Sequence, residues 1–385
     1  MILNFSVGNY KVFKDRTELF MEATFDRSHP GNLLGIDEKQ RVLNTALIYG
    51  ANASGKTSFL EALRLMRDLV IGGGDLHETS PFIFDGISEK EPTSFEIDFI
   101  RESRRYVYGF SYDGRRIIEE HLFQIPGGKR RTIFKRNGSV YNTDSNRRIQ
   151  KVVGENDLFV TVGAQLGHPL FIDVVSWFRD ELYVITGTSA VKSVERIIGI
   201  IKNKEIRLLM EKALSIADFG ISAIDVKKDN TAVGGMVKAW AEHKVGESTF
   251  EVPILSESSG TLRFLGIIGQ MIDSLKNGRT IVIDDLDMNI HTEICSWMIG
   301  LFADSEENKG GGQIIVSLHD VGLLDQNMFR RDQIWFVSKD YETNKSSLVR
   351  LSDYKGVRKD LDIRKAYLNG SFGSRPFIAP ERLME

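Results

Sequence analysis

The 385-residue sequence predicts an α/β fold: a mixed sheet with flanking helices, an antiparallel β subdomain and an inserted helical domain. Three patterns support this prediction. An apolar strand, a loop of small residues and an amphipathic helix follow one another between Thr45 and Val70. Residues 93–143 alternate apolar and polar side chains between turn dipeptides, which is typical of antiparallel strands. From Ser256 onward helices and strands alternate, and this order builds a parallel sheet.

The predicted α/β domain is interrupted. We expect residues 1–145 and 245–385 to form one domain and residues 146–244 to form a mainly helical insertion. The insertion has a periodic stretch from Val191 to Ala217, and strand-like alternation returns at 221–255. Because the periodic stretch is too short for a long coiled coil, the insertion is expected to be compact.

Composition restricts the class of protein. The formal net charge of −3 excludes a global basic field that would favour nucleic acid. The single cysteine, Cys295, excludes an intrachain disulfide framework and fits a reducing cytoplasm. No apolar run reaches the about 18 residues of a membrane span, and the first residues lack the pattern of a secretory signal. We therefore expect a cytoplasmic protein with no membrane segment.

The stretch GANASGKT matches the phosphate-binding pattern G-x-x-x-x-G-K-[ST], and it lies between a strand and a helix as the pattern requires. Its glycines let backbone amides approach an anion, whereas a chance glycine-rich turn is the alternative. Lys56 would add a charge on the β- and γ-phosphates, and the Thr57 hydroxyl would ligate Mg²⁺. We predict that ATP and Mg²⁺ bind through Gly50, Ala51, Asn52, Ala53, Ser54, Gly55, Lys56, Thr57 and Ser58.

An acidic strand end predicts the other half of the site. The apolar residues 280–283 end in Asp284, at the place where P-loop ATPases hold the Mg²⁺ water shell. Asp285 follows, where a carboxylate polarises the attacking water. A strand that ends in a solvated acidic turn is the alternative. The phosphate loop upstream favours the functional interpretation.

Two further motifs follow the same logic. The apolar strand from Gln313 ends in His319, which could contact the γ-phosphate and sense its loss. Ser258-Ser259-Gly260-Thr261 precedes an apolar helix, where an N-cap belongs. Beyond capping, we predict that Ser259 and Gly260 form a second phosphate-binding helix N-terminus.

Together these motifs resemble those of ABC-type ATPases of the SMC, RecF and OLD kind. The resemblance is closer to the ATPases of bacterial abortive-infection systems, namely the AbiL and RloA proteins and the AriA subunit of PARIS. The matching stretches are FSVGNYKVFKD, IYGANASGKTSFLEAL, SESSGTLRFLGI, IVIDDLDMNIH, IIVSLHDVGLLD and a tail from FRRDQIWFVSKD to SRPFI. The tail is the most family-specific part. The resemblance covers the predicted domain and is weak in the insertion.

The resemblance implies an ABC-type ATPase head that pairs with a second copy, so that Ser259–Gly260 of one head closes on ATP held by the other. It implies a homodimer or higher homo-oligomer, a nuclease-like partner of OLD/TOPRIM or RloB type, and a phage protein as trigger. It also implies that Lys11 approaches the nucleotide. A TOPRIM-type nuclease holds its metal ions with an Asp-x-Asp that follows a strand. The matching motif in this sequence, Asp285–Asp287, lies inside the predicted ATPase site. We therefore expect no effector site in this sequence.

A DNA-repair or DNA-clamp ATPase of RecF or SMC type stays open as an alternative. Its best candidate contact is the basic patch Lys129-Arg130-Arg131 with Lys135-Arg136, for which a solvated hairpin face is the simpler interpretation. A metabolic kinase is disfavoured by the order of the motifs. The sequence alone leaves DNA binding undecided.

The sequence departs from the family pattern at three places. Asp285 replaces the usual glutamate and is one methylene shorter, so hydrolysis is expected to be slow. The signature is Ser-Ser-Gly-Thr rather than Ser-Gly-Gly-Gln, and Thr292 replaces the usual proline after His291. The separation of Thr57 and Asp284 by 227 positions agrees with an insertion between two lobes of one ATPase.

Overall fold

The computed structural model describes residues 1–35, 41–142, 147–187, 195, 197–229, 236–324, 327–357 and 361–374. The strands in chain order are β1 Ile2–Gly8, β2 Thr17–Phe20, β3 Leu33–Gly35, β4 Arg41–Leu43, β5 Thr45–Gly50, β6 Thr93–Arg101, β7 Arg104–Tyr112, β8 Ile117–Gln124, β9 Arg131–Asn137, β10 Val140–Tyr141, β11 Leu182–Ile185, β12 Ile221–Asp229, β13 Met236–Val245, β14 Ser248–Pro253, β15 Thr280–Ile283, β16 Gln313–Leu318, β17 Ile334–Lys339 and β18 Ser346–Arg350. The helices are α1 Lys56–Val70, α2 Arg147–Gln150, α3 Phe159–Gln165, α4 Pro169–Ser176, α5 Lys204–Ile216, α6 Ser259–Asn277, α7 Thr292–Gly300 and α8 Ile363–Leu368.

A six-stranded sheet in the order β11-β15-β16-β5-β17-β18 carries the predicted motifs. Its first five strands are parallel, and β18 runs antiparallel to β17 at one edge. Every residue of β5, β15 and β16 is buried, as expected for parallel strands that are covered on both faces. The segments that follow these three strands therefore emerge at the same edge of the sheet.

The six-stranded sheet separates two hydrophobic cores. Alternate residues of β5 point to opposite faces, so that Ala46 and Ile48 join one core while Leu47 and Tyr49 join the other. The first core also contains α1 and the inner face of a seven-stranded antiparallel sheet in the order β10-β9-β8-β7-β6-β1-β2. The second core contains α5, α6 and α7.

Helix α1 is packed between the two large sheets. Its apolar residues recur at helical spacing, and Phe59 makes edge-to-face contacts with Phe5 and Phe13 at 5.4 and 5.8 Å between ring centroids. Val70, at the other end of the helix, is also fully buried. Packing on both sides fixes the axis of α1 and hence the position of its N-terminus at Gly55.

The stretch predicted to be a mainly helical insertion is more mixed. It begins with α2, α3 and α4, whose Phe159 and Phe171 lie in the same core as the antiparallel sheet. It then contributes β11, which pairs in parallel with β15 and was not predicted, because a four-residue apolar run has no distinctive period. The domain bounds at 146 and 244 stay a prediction, and these contacts favour an insertion that begins after Ile185.

The later part of the insertion is a helix packed on a small sheet. Helix α5 lies within the predicted periodic stretch and packs on α6 and β12. Residues 191–194 and 196 of that stretch lie outside the described residues. The antiparallel sheet β12-β13-β14 then leads into α6. Within the described residues, no single helix is long and apolar enough to cross a membrane, although the bent pair Phe159–Gln165 and Pro169–Glu181 satisfies length and composition together.

The tail packs behind the phosphate loop. Phe372 stacks on Phe336 of β17 with 4.5 Å between ring centroids, and Tyr367 of α8 stacks on the same ring at 5.5 Å. Tyr367 also touches Tyr49, which immediately precedes Gly50. The described tail therefore covers the sheet beneath the loop, whereas its residues 358–360 and 375–385 lie outside the described part of the chain.

A buried ion pair ties β17 to the amino-terminal segment. Arg330 and Asp332 are fully buried and lie 2.8 Å apart. The Asp332 carboxylate accepts hydrogen bonds from the amide and the hydroxyl of Thr24, both at 2.7 Å. Arg330 also donates to the carbonyl of Ser28 at 2.6 Å. The buried charge of each residue is thus compensated by the opposite charge of the other.

We expect Arg330→Ala to lower the free energy of unfolding by about 3–5 kcal/mol, because it leaves Asp332 as an unpaired buried charge. The control is Lys345→Ala. Lys345 pairs with Asp15 at 3.5 Å on the surface, where side chains are 36% and 76% exposed, and such pairs contribute about 1 kcal/mol at most. Urea unfolding measures both variants. Equal losses would contradict the role assigned to the buried pair.

Candidate functional site

The phosphate loop requires glycine at two close approaches. Gly55 has φ of 117° and is the N-cap of α1, and a Cβ there would lie 2.8 Å from Cγ2 of Val12. A Cβ on Gly50 would lie 2.5 Å from the carbonyl oxygen of Val337. Ala53 also has a left-handed backbone, with φ of 61°. The loop Gly50–Thr57 is therefore a tight turn whose backbone is held by the strands beside it.

Lys56 is a buried cation at the start of α1. Only 4% of its surface is exposed, and Nζ donates to the carbonyls of Gly50 at 2.8 Å and Ala51 at 3.4 Å. Burial lowers the pKa of the ammonium, although the carboxylates of Asp285, Asp284 and Asp287 oppose this shift. An ammonium held only by neutral carbonyls in a loop of backbone amides is suited to bind an anion.

Thr57 and Asp284 meet at the edge of the sheet. The exposed Thr57 hydroxyl lies close enough to the Asp284 carboxylate, which is 5% exposed, to lower the pKa of that carboxyl. Burial raises the pKa of Asp284, and the charges of Asp285 and Glu61 raise it further. A cation beside this carboxylate would favour its charged form. The oxygen donors suit Mg²⁺, which usually takes one or two carboxylates together with substrate phosphates.

Asp285 and His319 form a second pair beside Asp284. Oδ1 of Asp285 lies 3.1 Å from Nε2 of His319, and the two side chains are 29% and 44% exposed. Asp285 has a left-handed backbone with φ of 48°. Its amide donates to Oγ of Ser317 at 2.7 Å. The structure thus brings together Lys56, Thr57, Asp284, Asp285 and His319.

The loops after β15 and β16 are joined by Asp287. Its Oδ2 accepts hydrogen bonds from the amides of His319, at 2.6 Å, and Asp320. Thr292 donates to the Asp320 carboxylate, which connects the start of α7 to the same loop. His291 caps α7, because its Nδ1 accepts from the amide of Glu293. These contacts fix the position of His319.

The start of α6 is separate from the phosphate loop. Ser258 caps the helix by accepting from the amide of Thr261 at 3.1 Å. Ser259 is exposed, and a Cβ on Gly260 would lie 2.5 Å from the carbonyl oxygen of Asn289. Among the described residues, no hydrogen bond joins Ser259 or Gly260 to Gly50–Thr57. The motif lies against the loop after β15 and faces outward.

Lys11 lies beside Glu61 of α1 rather than on the phosphate loop. It has a left-handed backbone with φ of 50°, and its ammonium pairs with Glu61 of α1. Glu61 is one helical turn beyond Thr57 and contributes to the raised pKa of Asp284. In this arrangement the charge of Lys11 is compensated by Glu61.

Arg263 was not predicted and connects α6 to the acidic strand end. It is 6% exposed and donates to the carbonyls of Asp284 at 2.5 Å, Asp285 at 3.1 Å and Gly187 at 3.1 Å. Burial lowers its pKa, and the nearby aspartates oppose this effect. An arginine within the apolar stretch LRFLGII was the available signal, because buried charges are rare unless they are paired.

A comparison with protein families finds one matching model, described as "AAA domain, putative AbiEii toxin, Type IV TA system", over residues 46–148 and 191–325. The matched residues make up more than half of the chain and include the phosphate loop, Ser259, Asp284 and His319. The chain belongs to this AAA-domain family. No curated protein matches.

Two solved structures are similar to this chain over most of their length. One is the Smc head domain with an extended coiled coil from Pyrococcus furiosus, bound to the C-terminal domain of ScpA, with a TM-score of 0.42, 13% identity and coverage of 96% of this chain and 98% of that chain. The other is the Smc head domain with a coiled coil and joint from Pyrococcus yayanosii, with a TM-score of 0.42, 10% identity and coverage of 91% and 96%.

We expect Arg263→Met to loosen the turn at Asp285, because the apolar side chain keeps much of the volume but cannot bind the three carbonyls. Amide hydrogen exchange of peptides covering residues 284–290 should become about tenfold faster or more. Arg279→Met is the control, since Arg279 pairs with Asp273 away from this turn. Unchanged exchange in Arg263→Met would contradict the role of Arg263 in holding this turn.

Proposed function

We propose that this protein is the ATP-binding and hydrolysing sensor or scaffold subunit of an anti-phage abortive-infection system. ATP-dependent pairing of two heads would control a partner toxin or nuclease. The observation that carries the proposal is the placement of Thr57, Asp284, Asp285 and His319 at one edge of the sheet, while Ser259–Gly260 faces outward. One head thus holds both the nucleotide-binding residues and a separate phosphate-binding helix end.

Each residue of the site has a proposed role in ATP hydrolysis. The phosphate loop and Lys56 bind the phosphates, and Thr57 and Asp284 hold Mg²⁺. When bound, Mg²⁺ neutralises charge that develops on the β- and γ-phosphates. Asp285 accepts a proton from the attacking water, and His319 orients Asp285 through the contact at 3.1 Å. Lys11 would reach the nucleotide only after its pairing with Glu61 changes.

Pairing of two heads completes the site in this proposal. The α6 N-terminus of one head, with Ser259 and Gly260, approaches the γ-phosphate of ATP held by the other, because a helix N-terminus stabilises anions. A symmetric pair of heads contains this contact twice. Arg263 links the same helix to the Asp284–Asp285 turn of its own head. A movement of α6 when it closes on one nucleotide would therefore shift the acidic turn at the other nucleotide.

The output is proposed to lie in another protein. Among the described residues, no group of three or more His, Cys, Asp or Glu side chains is arranged to hold a metal ion, as a nuclease site would need. The family description names a toxin and a type IV toxin–antitoxin system, which supports control of a toxic partner. We propose a nuclease-like partner of OLD/TOPRIM or RloB type, released or activated when a phage protein is sensed in the cytoplasm.

A DNA-clamp function is the second candidate, and a local cluster of basic residues favours it. Residues 129–151 contain eight Lys or Arg and a single acidic residue, although the whole chain has a net charge of −3. Arg136 is not available to DNA, because its buried guanidinium donates to the carbonyls of Gly138, Gly154 and Asp157. Lys129, Arg131 and Lys135 are exposed and could meet phosphates.

Two substitutions separate binding from chemistry. Lys56→Ala should weaken ATP binding roughly 100-fold or more, since a ground-state phosphate contact is lost. Asp285→Ala should bind ATP normally but hydrolyse it about 10²- to 10⁴-fold more slowly, since a general base acts mainly in the transition state. Calorimetry and a phosphate-release assay measure the two effects. Equal loss of binding in both variants would refute the role of Asp285.

Mixing two inactive variants tests whether the site is shared between heads. Ser259→Arg should bind ATP through its intact Lys56 but fail to hydrolyse it. Lys56→Ala binds ATP poorly, but it supplies an intact Ser259 to the ATP held by the Ser259→Arg head. If heads pair freely and sites act independently, the mixture should regain roughly a quarter of wild-type activity. No activity in the mixture, or normal hydrolysis by Ser259→Arg alone, would argue against the shared site.

Co-purification from the native operon tests the partner. We expect a neighbouring nuclease-like protein to be retained with ATP and lost from Lys56→Ala. Phage protection by this chain alone, with no neighbouring gene, would refute the two-component proposal. Retention of nucleic acid instead of a protein would favour the DNA clamp. In that case, replacing Lys129, Arg131 and Lys135 by glutamate should abolish the retention of nucleic acid. Replacing Arg136 by methionine is the control, and it should act mainly on stability.

A further inference from the structure

Ser317 is a buried hydroxyl at the acidic strand end. It lies in β16, which pairs with β15 on one side and with β5 on the other, and its side chain is fully buried. Oγ donates its proton to Oδ1 of Asp284 at 2.6 Å and accepts from the amide of Asp285 at 2.7 Å. The hydroxyl of Ser317 therefore acts as a donor to Asp284 and as an acceptor from Asp285, which are consecutive residues of the site.

The backbone of Ser317 acts on the same turn. Its carbonyl accepts from the amide of Leu286 at 3.1 Å, so Ser317 holds the two amides that follow Asp284. A left-handed conformation such as that of Asp285 costs free energy and persists where surrounding bonds fix it. Arg263 binds the carbonyls of this turn from the other side. Ser317 supplies the bonds to its amides.

We propose that Ser317 is a positioning residue of the ATPase site, which orients the Asp284 carboxylate beside Thr57 and fixes the turn that presents Asp285 to His319. The inference rests on the proposed function, because it assigns Asp284 to Mg²⁺ and Asp285 to water. Loss of the hydroxyl affects metal affinity and hydrolysis together. It leaves metal-free nucleotide binding intact, because Ser317 makes no hydrogen bond to the described residues of the phosphate loop.

The experiment compares Ser317→Ala, Ser317→Thr and a matched control, Ser274→Ala. Ser274 is equally buried, but its hydroxyl donates to the carbonyl of Gln270 within α6, away from the site. Calorimetry measures ATP affinity in EDTA and in Mg²⁺, paramagnetic resonance measures Mn²⁺ affinity in the presence of ADP, and phosphate release measures kcat. Thermal unfolding reports on stability in every variant.

In Ser317→Ala we expect metal affinity to fall about 10- to 100-fold, as for other groups that orient metal ligands, and kcat to fall with it. ATP affinity in EDTA should stay within about threefold of wild type, and Ser317→Thr should restore metal affinity because it keeps the hydroxyl. Ser274→Ala should change neither value. If Ser317→Ala does not fold, Ser317→Cys is used, since a thiol is similar in size but a weaker donor, and it should show an intermediate loss.

Wild-type metal affinity and kcat in Ser317→Ala, or in Ser317→Cys, would overturn the assignment while leaving the proposed function standing. A loss of both values in Ser274→Ala as large as in Ser317→Ala would also overturn it, because the effect would then follow from any buried serine. A wild-type protein that binds no nucleotide with or without Mg²⁺ would overturn the proposed function and this inference together.

Discussion

The register of three parallel strands is the constraint on which the site depends. Ile283 pairs with Val316, and Ser317 pairs with Ile48, so Ser317 lies level with Asp284 and near the end of β5. Side chains alternate between the faces of a strand, so a slip of one residue would turn Ser317 away from Asp284. Complete burial of the three strands makes such a slip costly, since it would exchange the residues that face the two cores.

Separation of the two cores by the six-stranded sheet explains how one chain presents the two helix ends that are proposed to bind phosphate. Helix α1 belongs to the core shared with the antiparallel sheet, whereas α6 belongs to the core on the opposite face. Their N-termini therefore approach the same edge from different sides. Arg263 is the polar link from α6 into that edge, and Lys56 is the corresponding buried cation of α1.

Much of the fold was predictable because its signals are local. The bounds of β15 were predicted correctly, and the glycines, lysine and threonine of the phosphate loop are adjacent in sequence and require one backbone shape. The strands and residues that the sequence did not predict depend on contacts between distant parts of the chain or on short apolar segments. Strand β11 forms by pairing with β15, and β18 forms by pairing with β17 at the edge of the sheet. Ser317 and Arg263 each meet Asp284 across more than twenty residues.

The left-handed backbone of Asp285 gives a conformational reason for the shorter carboxylate at this position. Aspartate and asparagine tolerate this region far better than residues with longer side chains, because their polar groups can bond locally. Asp285→Glu would extend the reach of the carboxylate by one methylene, but at the cost of greater backbone strain. The choice of carboxylate at this position is thus limited by the backbone of the turn as much as by the chemistry.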